Sequence, residues 1–466
     1  MRPSISEQSI SLASKQAQTV PDPTGVLITR WGQDPFSYGS YSHLGLDASW
    51  EDRAALQGRI TPRLFFAGEA ASAGYAGTVH GAYLSGQATA RELLERPPEQ
   101  HAPGQRSVLV LGAGVAGLRA AQVMREAGWK VSVTEGRDRV GGRVLTDHRL
   151  GFPIGLGASW VHGPEGNPVA AVLVELNIAP VPTPGADTPR QVLRPEAPPL
   201  TPRELAEGQV AADQLLEGLR REQASGVGGL VRQAADRVLR DLSLRDSGLS
   251  DMDRAFAELS LSLEYELSTS SADLLIRAGN EPYAFPGGDR LPVGSYAPLI
   301  AHLAQGSEVR LSERVTRVEE DPSQVTFYTD AGYTDAGHTD TGHTEAGQHS
   351  ASAAICTLPL GVLKRGSVTF APELPERVQL AVRRLGMGVL DKVVLTFARK
   401  FWPGDGFLVL GPEPRSYGYW LDLTSHTGLP TLVRFFYAPE AHAFERLSDA
   451  ELVQDSLNML RRLHYN

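Results

Sequence analysis

The feature that most constrains this chain is a short glycine pattern set between strand-like and helix-like runs. Gly112-Ala113-Gly114-Val-Ala-Gly117 follows the apolar run 108–111, opens the amphipathic run 118–127, and is succeeded by the strand-like run 130–134. Strand, glycine turn, helix and strand in that order predict a βαβ unit, which requires a parallel sheet covered on its faces. Gly112 permits the tight turn, Gly114 lets backbone approach a pyrophosphate, and Gly117 lets the helix pack closely, so that the helix N-terminus faces the phosphates. Glu135, closing the second strand, stands where a carboxylate accepts hydrogen bonds from ribose hydroxyls. These residues alone suit NAD as well as FAD.

The next residues narrow the choice. In Arg139-Val-Gly141-Gly142-Arg143 two glycines allow a second close backbone approach, and Arg143 brings a fixed cation toward the pyrophosphate. Strand, glycine turn, acid and this arginine-flanked glycine pair, in this order, resemble the flavin-containing amine oxidase family, and within it the polyamine and spermine oxidases. Gly157-Ala158-Ser159-Trp160-Val-His162, followed by Asn167-Pro168, resembles the segment that runs beside the flavin ring, where the position of His162 carries a substrate-contacting His or Glu. Val315 matches a backbone contact to adenine, and the run from Cys356 to Lys364 resembles the family's return strand. Asp391-Lys392 followed by Phe401-Trp402 matches the strand bearing its active-site lysine.

The same resemblance implies a circular permutation. The family's closing block reads here as TRWGQDPFSYGSYS, LFFAGEA and YAGTVHGAYLSG, yet occupies residues 29–86, ahead of the glycine fingerprint. Joining the helix-like run near residue 466 to the region near Pro21 would restore the family order. Permutation is tolerated where the original ends lie close together and the new ones are exposed. Within the block the resemblance places Glu69 at the ribityl or phosphate portion of FAD, Thr78 and Val79 against the ring, and Tyr41 in front of it as part of a substrate cage. Tyr417, Tyr419 and Trp420 are candidates for a second wall. Monoamine oxidases attach flavin through a cysteine in the segment corresponding to 69–75. None stands there, and the only cysteine is Cys356, so the FAD is expected to be non-covalent.

A chain of 466 residues exceeds what one core organises, so two interleaved domains are expected. The predicted class is α/β, or α+β in two domains: a Rossmann-type FAD-binding domain interleaved with a substrate domain of mixed sheet and helices. Residues 1–21 read as a flexible tail, 22–96 as the permuted FAD-domain segment and 97–106 as a linker. Residues 107–179 carry the fingerprint, 180–285 the helical part of the substrate domain, 286–370 a further FAD-domain segment, and 371–466 the sheet and helix part of the substrate domain. A five-residue repeat over 328–347 lies between two strand-like runs and reads as a solvated hairpin extension rather than a histidine metal site; no metal is expected. The net charge of −10 disfavours nucleic acid and suits a cationic ligand. With no bilayer-spanning apolar run, no secretory leader and one cysteine, a cytoplasmic setting is expected, with no membrane partner.

The resemblance implies hydride transfer from an amine α-carbon to FAD, hydrolysis of the imine to an aldehyde, and reoxidation by O2 to H2O2. Lys392 would hold a water at the ring, and Tyr41 and His162 would meet the substrate. Three other activities fit the same fold or fingerprint. An L-amino-acid oxidase needs a cation for the substrate carboxylate, and no arginine stands at Ser159-Trp160. A carotenoid or porphyrinogen desaturase would need neither Lys392 nor His162, and a flavin-binding protein could lack catalysis altogether. A histone demethylase is disfavoured because no long helical-hairpin insertion is visible.

Overall fold

The computed structural model describes residues 20–98, 106–183, 191–195, 197, 200–226, 229–244, 250–265, 284–331, 333–334, 337–338, 347–410, 417–437 and 440–463. Most of the expected tail (1–19), most of the linker (99–105) and most of the repeat therefore lie outside the described residues.

The run Ser-Val-Leu-Val-Leu is apolar on both faces, which is what the middle of a covered parallel sheet requires. It forms strand Ser107–Leu111 at the centre of a six-stranded sheet. Lys130–Thr134 and then Glu308–Arg310 lie parallel on one side; Ala353–Cys356 and Leu64–Phe66 lie parallel on the other, and Gly58–Arg59 closes the edge antiparallel. The helix after the fingerprint runs Val115–Glu126 with Gly114 at its N-cap, starting earlier than the apolar periodicity alone suggested because the glycine turn leads straight into it. Beside it lies helix Val79–Glu95, capped by Thr78, whose hydroxyl accepts from Gly81 N at 2.9 Å. The two cross where Gly86 meets the backbone of Ala116: a Cβ on Gly86 would stand 2.1 Å from Ala116 O.

A second six-stranded sheet forms the wall of the other domain. Its order is Gly25–Ile28, Leu390–Thr396, Thr431–Tyr437, Tyr417–Asp422, Gly406–Leu410 and Gln191–Leu193, antiparallel except for the last pair. Thus residues 22–96 place one strand in this sheet and two in the first, and the domains are interleaved. The helical excursion comprises Pro202–Ala224, Val231–Ser243 and Asp251–Tyr265. Its first helix opens on a capping box between Thr201 and Glu204, and Phe256 fills the notch left by Gly208, where a Cβ would stand 2.5 Å from the ring. A small sheet of Pro180–Pro182, Asp289–Pro292 and Val161–His162 joins the two parts. Val325–Ala331 pairs antiparallel with Gly347–Ala351, so the repeat is inserted between the arms of a hairpin. Among the described residues no helix is long and apolar enough to cross a membrane.

Candidate active site

A cavity of about 890 Å³ runs from the fingerprint to the second sheet. Its nucleotide half is built by glycines and by charges that already have partners. Gly112 (φ +101°) makes the turn, and a Cβ there would meet Thr357 Oγ1 at 2.8 Å. A Cβ on Gly114 would meet no protein atom within 4 Å and would project into the cavity, in the space a pyrophosphate needs. Gly141 and Gly142 line the same space with positive φ, and Gly141 N donates to Ala113 O at 2.8 Å. Ala113 and Gly117 do not reach the cavity. Ala113 is fully buried, and Gly117 packs so tightly that a Cβ would stand 2.0 Å from Gly112 O. Glu135 lines the cavity while accepting from Ala113 N at 2.7 Å and Arg137 N at 3.0 Å, and burial pushes its carboxyl above the usual range. Val315 lies near this end.

Glu69 and Arg143 meet at the middle. Arg143 Nη1 donates to Glu69 Oε1 at 2.8 Å and to Ser40 O at 3.0 Å. Glu69 also accepts from the Ser42 hydroxyl at 2.6 Å and Gly77 N at 2.9 Å. Burial alone would raise the Glu69 carboxyl, but Arg143, the Ser42 hydroxyl and Arg53 together outweigh it and hold it below its ordinary value. Each arginine lining the cavity among the described residues is paired with a carboxylate: Arg143 with Glu69, Arg137 with Asp34 at 2.7 Å, and Arg314 with Asp330 at 2.5 Å.

The amine half is aromatic. Lys392 reaches it from strand Leu390–Thr396, buried, its Nζ 2.6 Å from Gly157 O, 2.7 Å from Ser159 Oγ and 3.2 Å from Gly155 O. Nζ also lies 5.7 Å from the centroid of Trp160 and 5.8 Å from that of Phe435. Three neutral acceptors match the three donors of an ammonium, but burial, only partly opposed by Asp391, pushes the amine down to about 7. Burial also holds the Asp391 carboxyl well above its ordinary value, so it is a weak counter-ion. When Lys392 loses its third proton, its lone pair can accept from the Ser159 hydroxyl. Gly157 has no room for a side chain, since a Cβ would stand 1.9 Å from Arg143 O.

Tyr41 lines the cavity from the strand Tyr41–His43, its ring 3.3 Å from where a Gly77 Cβ would stand and so beside Thr78 and Val79, which line it too. His162 lines it with Nδ1 3.0 Å from Asp289 Oδ1, the two residues being direct cross-strand neighbours. Ala158 and Trp160 complete this wall, and Trp160 O accepts from the Tyr296 hydroxyl at 2.8 Å. Of the second-wall candidates, Tyr419 lines the cavity and stacks on Phe435 at 5.2 Å. Trp420, one residue on, faces the opposite side of the strand and stacks on Phe407 in the core. The side chain of Tyr417 lies outside the described residues.

Several lining residues were not singled out from the sequence. Trp31 donates from Nε1 to Leu156 O at 3.3 Å, and Asp391 anchors it by accepting from its backbone N–H at 2.9 Å; its place in the Thr-Arg-Trp run was the available signal. Phe435, Tyr437 and Asp289 sit in no motif, and only the folded register brings them in.

The family model for flavin-containing amine oxidoreductases matches residues 8–94 and 115–466. The chain belongs to this family. Polyamine oxidase 4 of Oryza sativa subsp. japonica is 32% identical over 379 residues, covering 78% of this chain and 74% of the relative. Polyamine oxidase 2 of Arabidopsis thaliana is 33% identical over 372 residues, covering 77% and 72%. Among solved structures, wild-type putrescine oxidase bound to putrescine superposes with a TM-score of 0.53 at 21% identity, over 78% of this chain and 82% of that one; this likeness speaks for the fold. The protein is thus a flavin amine oxidase with FAD as its cofactor, and the glycine cradle at Gly114 with the partnered charges around it fits that cofactor.

Proposed function

We propose that the protein oxidises a polyamine-like primary or secondary amine, reducing O2 to H2O2. The observation that carries this reading is the aromatic half around Lys392: a cation near its neutral point, Trp160, Phe435 and Tyr419 around it, and, among the described residues, no lining arginine without a carboxylate partner. Among the described residues a carboxylate substrate would meet there only Lys392, whose charge burial weakens and whose Nζ already has three acceptors, whereas an amine finds aromatic faces.

FAD, when bound, supplies the two-electron oxidant. The residues of the chain position and desolvate the substrate. Tyr41 and Trp160 hold the carbon to be oxidised between aromatic faces, and the poorly hydrated cage favours the neutral nitrogen whose lone pair must stabilise the forming imine. Lys392 and Ser159 keep a hydrogen bond over the 2.7 Å between them, the hydroxyl accepting from the ammonium or donating to the neutral amine, so that Lys392 can offer a donor or an acceptor to water at the imine. Overall, a secondary amine, O2 and water give an aldehyde, the shortened amine and H2O2. Peroxide release on a panel of spermine, spermidine, acetylated polyamines and L-amino acids tests the reading. Polyamines should give the highest rates, and peroxide from L-amino acids alone would overturn it.

Two structural parts of the proposal accompany it. The cofactor is held without a covalent bond, since the one cysteine, Cys356, is buried in the central sheet with its thiol pushed up to about 12 by burial; acid precipitation should release all of the flavin. The chain order is a permutation of the family's. In support, the family match falls into two segments, residues 22–96 thread both sheets, Asp22 lies 3.3 Å from Arg461, and Val20 packs on the cluster containing Leu460 and Leu463.

A further inference from the structure

We infer that Asp289 is a specificity-determining residue that holds the distal ammonium of a diamine or polyamine while the other nitrogen reacts near Lys392. The inference rests on the proposed amine oxidation and adds which end of the substrate is read, and by what. Five residues form one series, linked by contacts and by the run 159–162. Lys392 Nζ touches Ser159 at 2.7 Å and lies over Trp160; two residues further along the same segment stands His162; and His162 Nδ1 meets Asp289 Oδ1 at 3.0 Å. Two residues of extended chain advance about 6.5 Å, so the carboxylate lies a few methylene lengths beyond the aromatic cage, on the same wall.

The chemistry of the two ends differs in the sense a diamine needs. At the inner end Lys392 is pushed toward neutrality in a dry, aromatic setting, which suits a neutral reacting nitrogen. At the outer end Asp289 lines the cavity with its side chain 43% exposed, in contact with water. Its carboxylate accepts from one ring nitrogen of His162 through Oδ1, and Oδ2 remains for an incoming ammonium. Its position is fixed from both sides: the backbone pairs with His162, and Asp289 O accepts from the Thr183 hydroxyl at 3.2 Å. A monoamine of the same length would fill the aromatic cage and leave Asp289 unused.

The test is anaerobic calorimetric titration of the protein with its bound FAD already reduced by dithionite, so that no amine can be oxidised, with putrescine and with butylamine, for the wild type, Asp289→Asn and Asp289→Glu. Asn keeps the shape and the hydrogen bond to His162 but removes the charge. Losing a charged hydrogen bond should weaken putrescine binding by about tenfold or more relative to butylamine, and Glu should restore most of that difference. Equal weakening of both amines, or none, would overturn the inference. Because binding is read without turnover, a wild type that binds putrescine through Asp289 but oxidises neither amine would contradict the proposed reaction and leave this site standing.

Discussion

The two halves of the cavity treat charge in opposite ways. In the nucleotide half every lining arginine among the described residues has its carboxylate, and Glu135 is held by two backbone N–H groups. In the amine half Lys392 is surrounded by two carbonyls, a hydroxyl and two aromatic rings. The first arrangement preorganises fixed charges for a ligand whose phosphates never change state; the second keeps a cation close to losing its proton. The same burial that makes Glu69 depend on Arg143 makes Lys392 titrate near neutral pH.

The sharpest break of this contrast is on the nucleotide side. Arg143→Ala leaves the buried Glu69 carboxylate with Arg53 as its remaining cation; stranding a buried charge costs about 3–5 kcal/mol. We expect purified protein with its flavin content reduced more than about tenfold and a lower Tm, read by absorbance and calorimetry. Glu69→Gln combined with Arg143→Met should recover part of the Tm, because both charges are removed together.

On the amine side Lys392→Met should leave FAD bound and slow amine oxidation or flavin reoxidation by about 10²–10⁴, the range for a lost proton-transfer group; stopped-flow measurement of both half-reactions separates the two, and unchanged rates in both would place Lys392 outside the chemistry. Its effect on stability has a definite sign. The unfolded lysine keeps its proton to about 10.5 and the folded one only to about 7, so in that window the unfolded state binds more protons and wild-type stability rises with pH. The Tm advantage of Lys392→Met over the wild type should therefore be largest at pH 7 and below and shrink toward pH 10.

Ser159→Ala should act more gently, since the two carbonyls still hold Nζ. We expect a loss of about tenfold or less, with the amine-side pH dependence displaced, because the hydroxyl that accepts from the ammonium and donates to the neutral amine is gone. The smallest effect expected is from chain order. Moving residues 22–96 behind residue 466 should preserve flavin content and activity, and an insoluble, flavin-free product would contradict the permutation.

The same contrast governs what could be read in advance. The nucleotide half is local in sequence: Gly112, Gly114, Glu135, Gly141 and Arg143 lie within one βαβ unit and its extension, where spacing and backbone geometry carry the information. The amine half is assembled from residues near 31, 41, 160, 289, 392 and 435, brought together by pairing between strands far apart in the chain. Lys392 and His162 were legible through flanking motifs. Asp289 was not, because its neighbour is set by the register of the short strands Asp289–Pro292 and Val161–His162. Trp420 and Tyr419 looked equivalent in sequence, and only the strand's alternation puts one in the core and the other at the cavity.

The central claim, that the inner end of the cavity favours a neutral amine nitrogen over a carboxylate, is tested most directly by anaerobic stopped-flow bleaching of the bound flavin. The rate with spermine should rise with pH between about 6 and 9 and exceed the rate with every L-amino acid tried. A rate that falls over that range, or faster bleaching by an amino acid than by every polyamine tested, would contradict it.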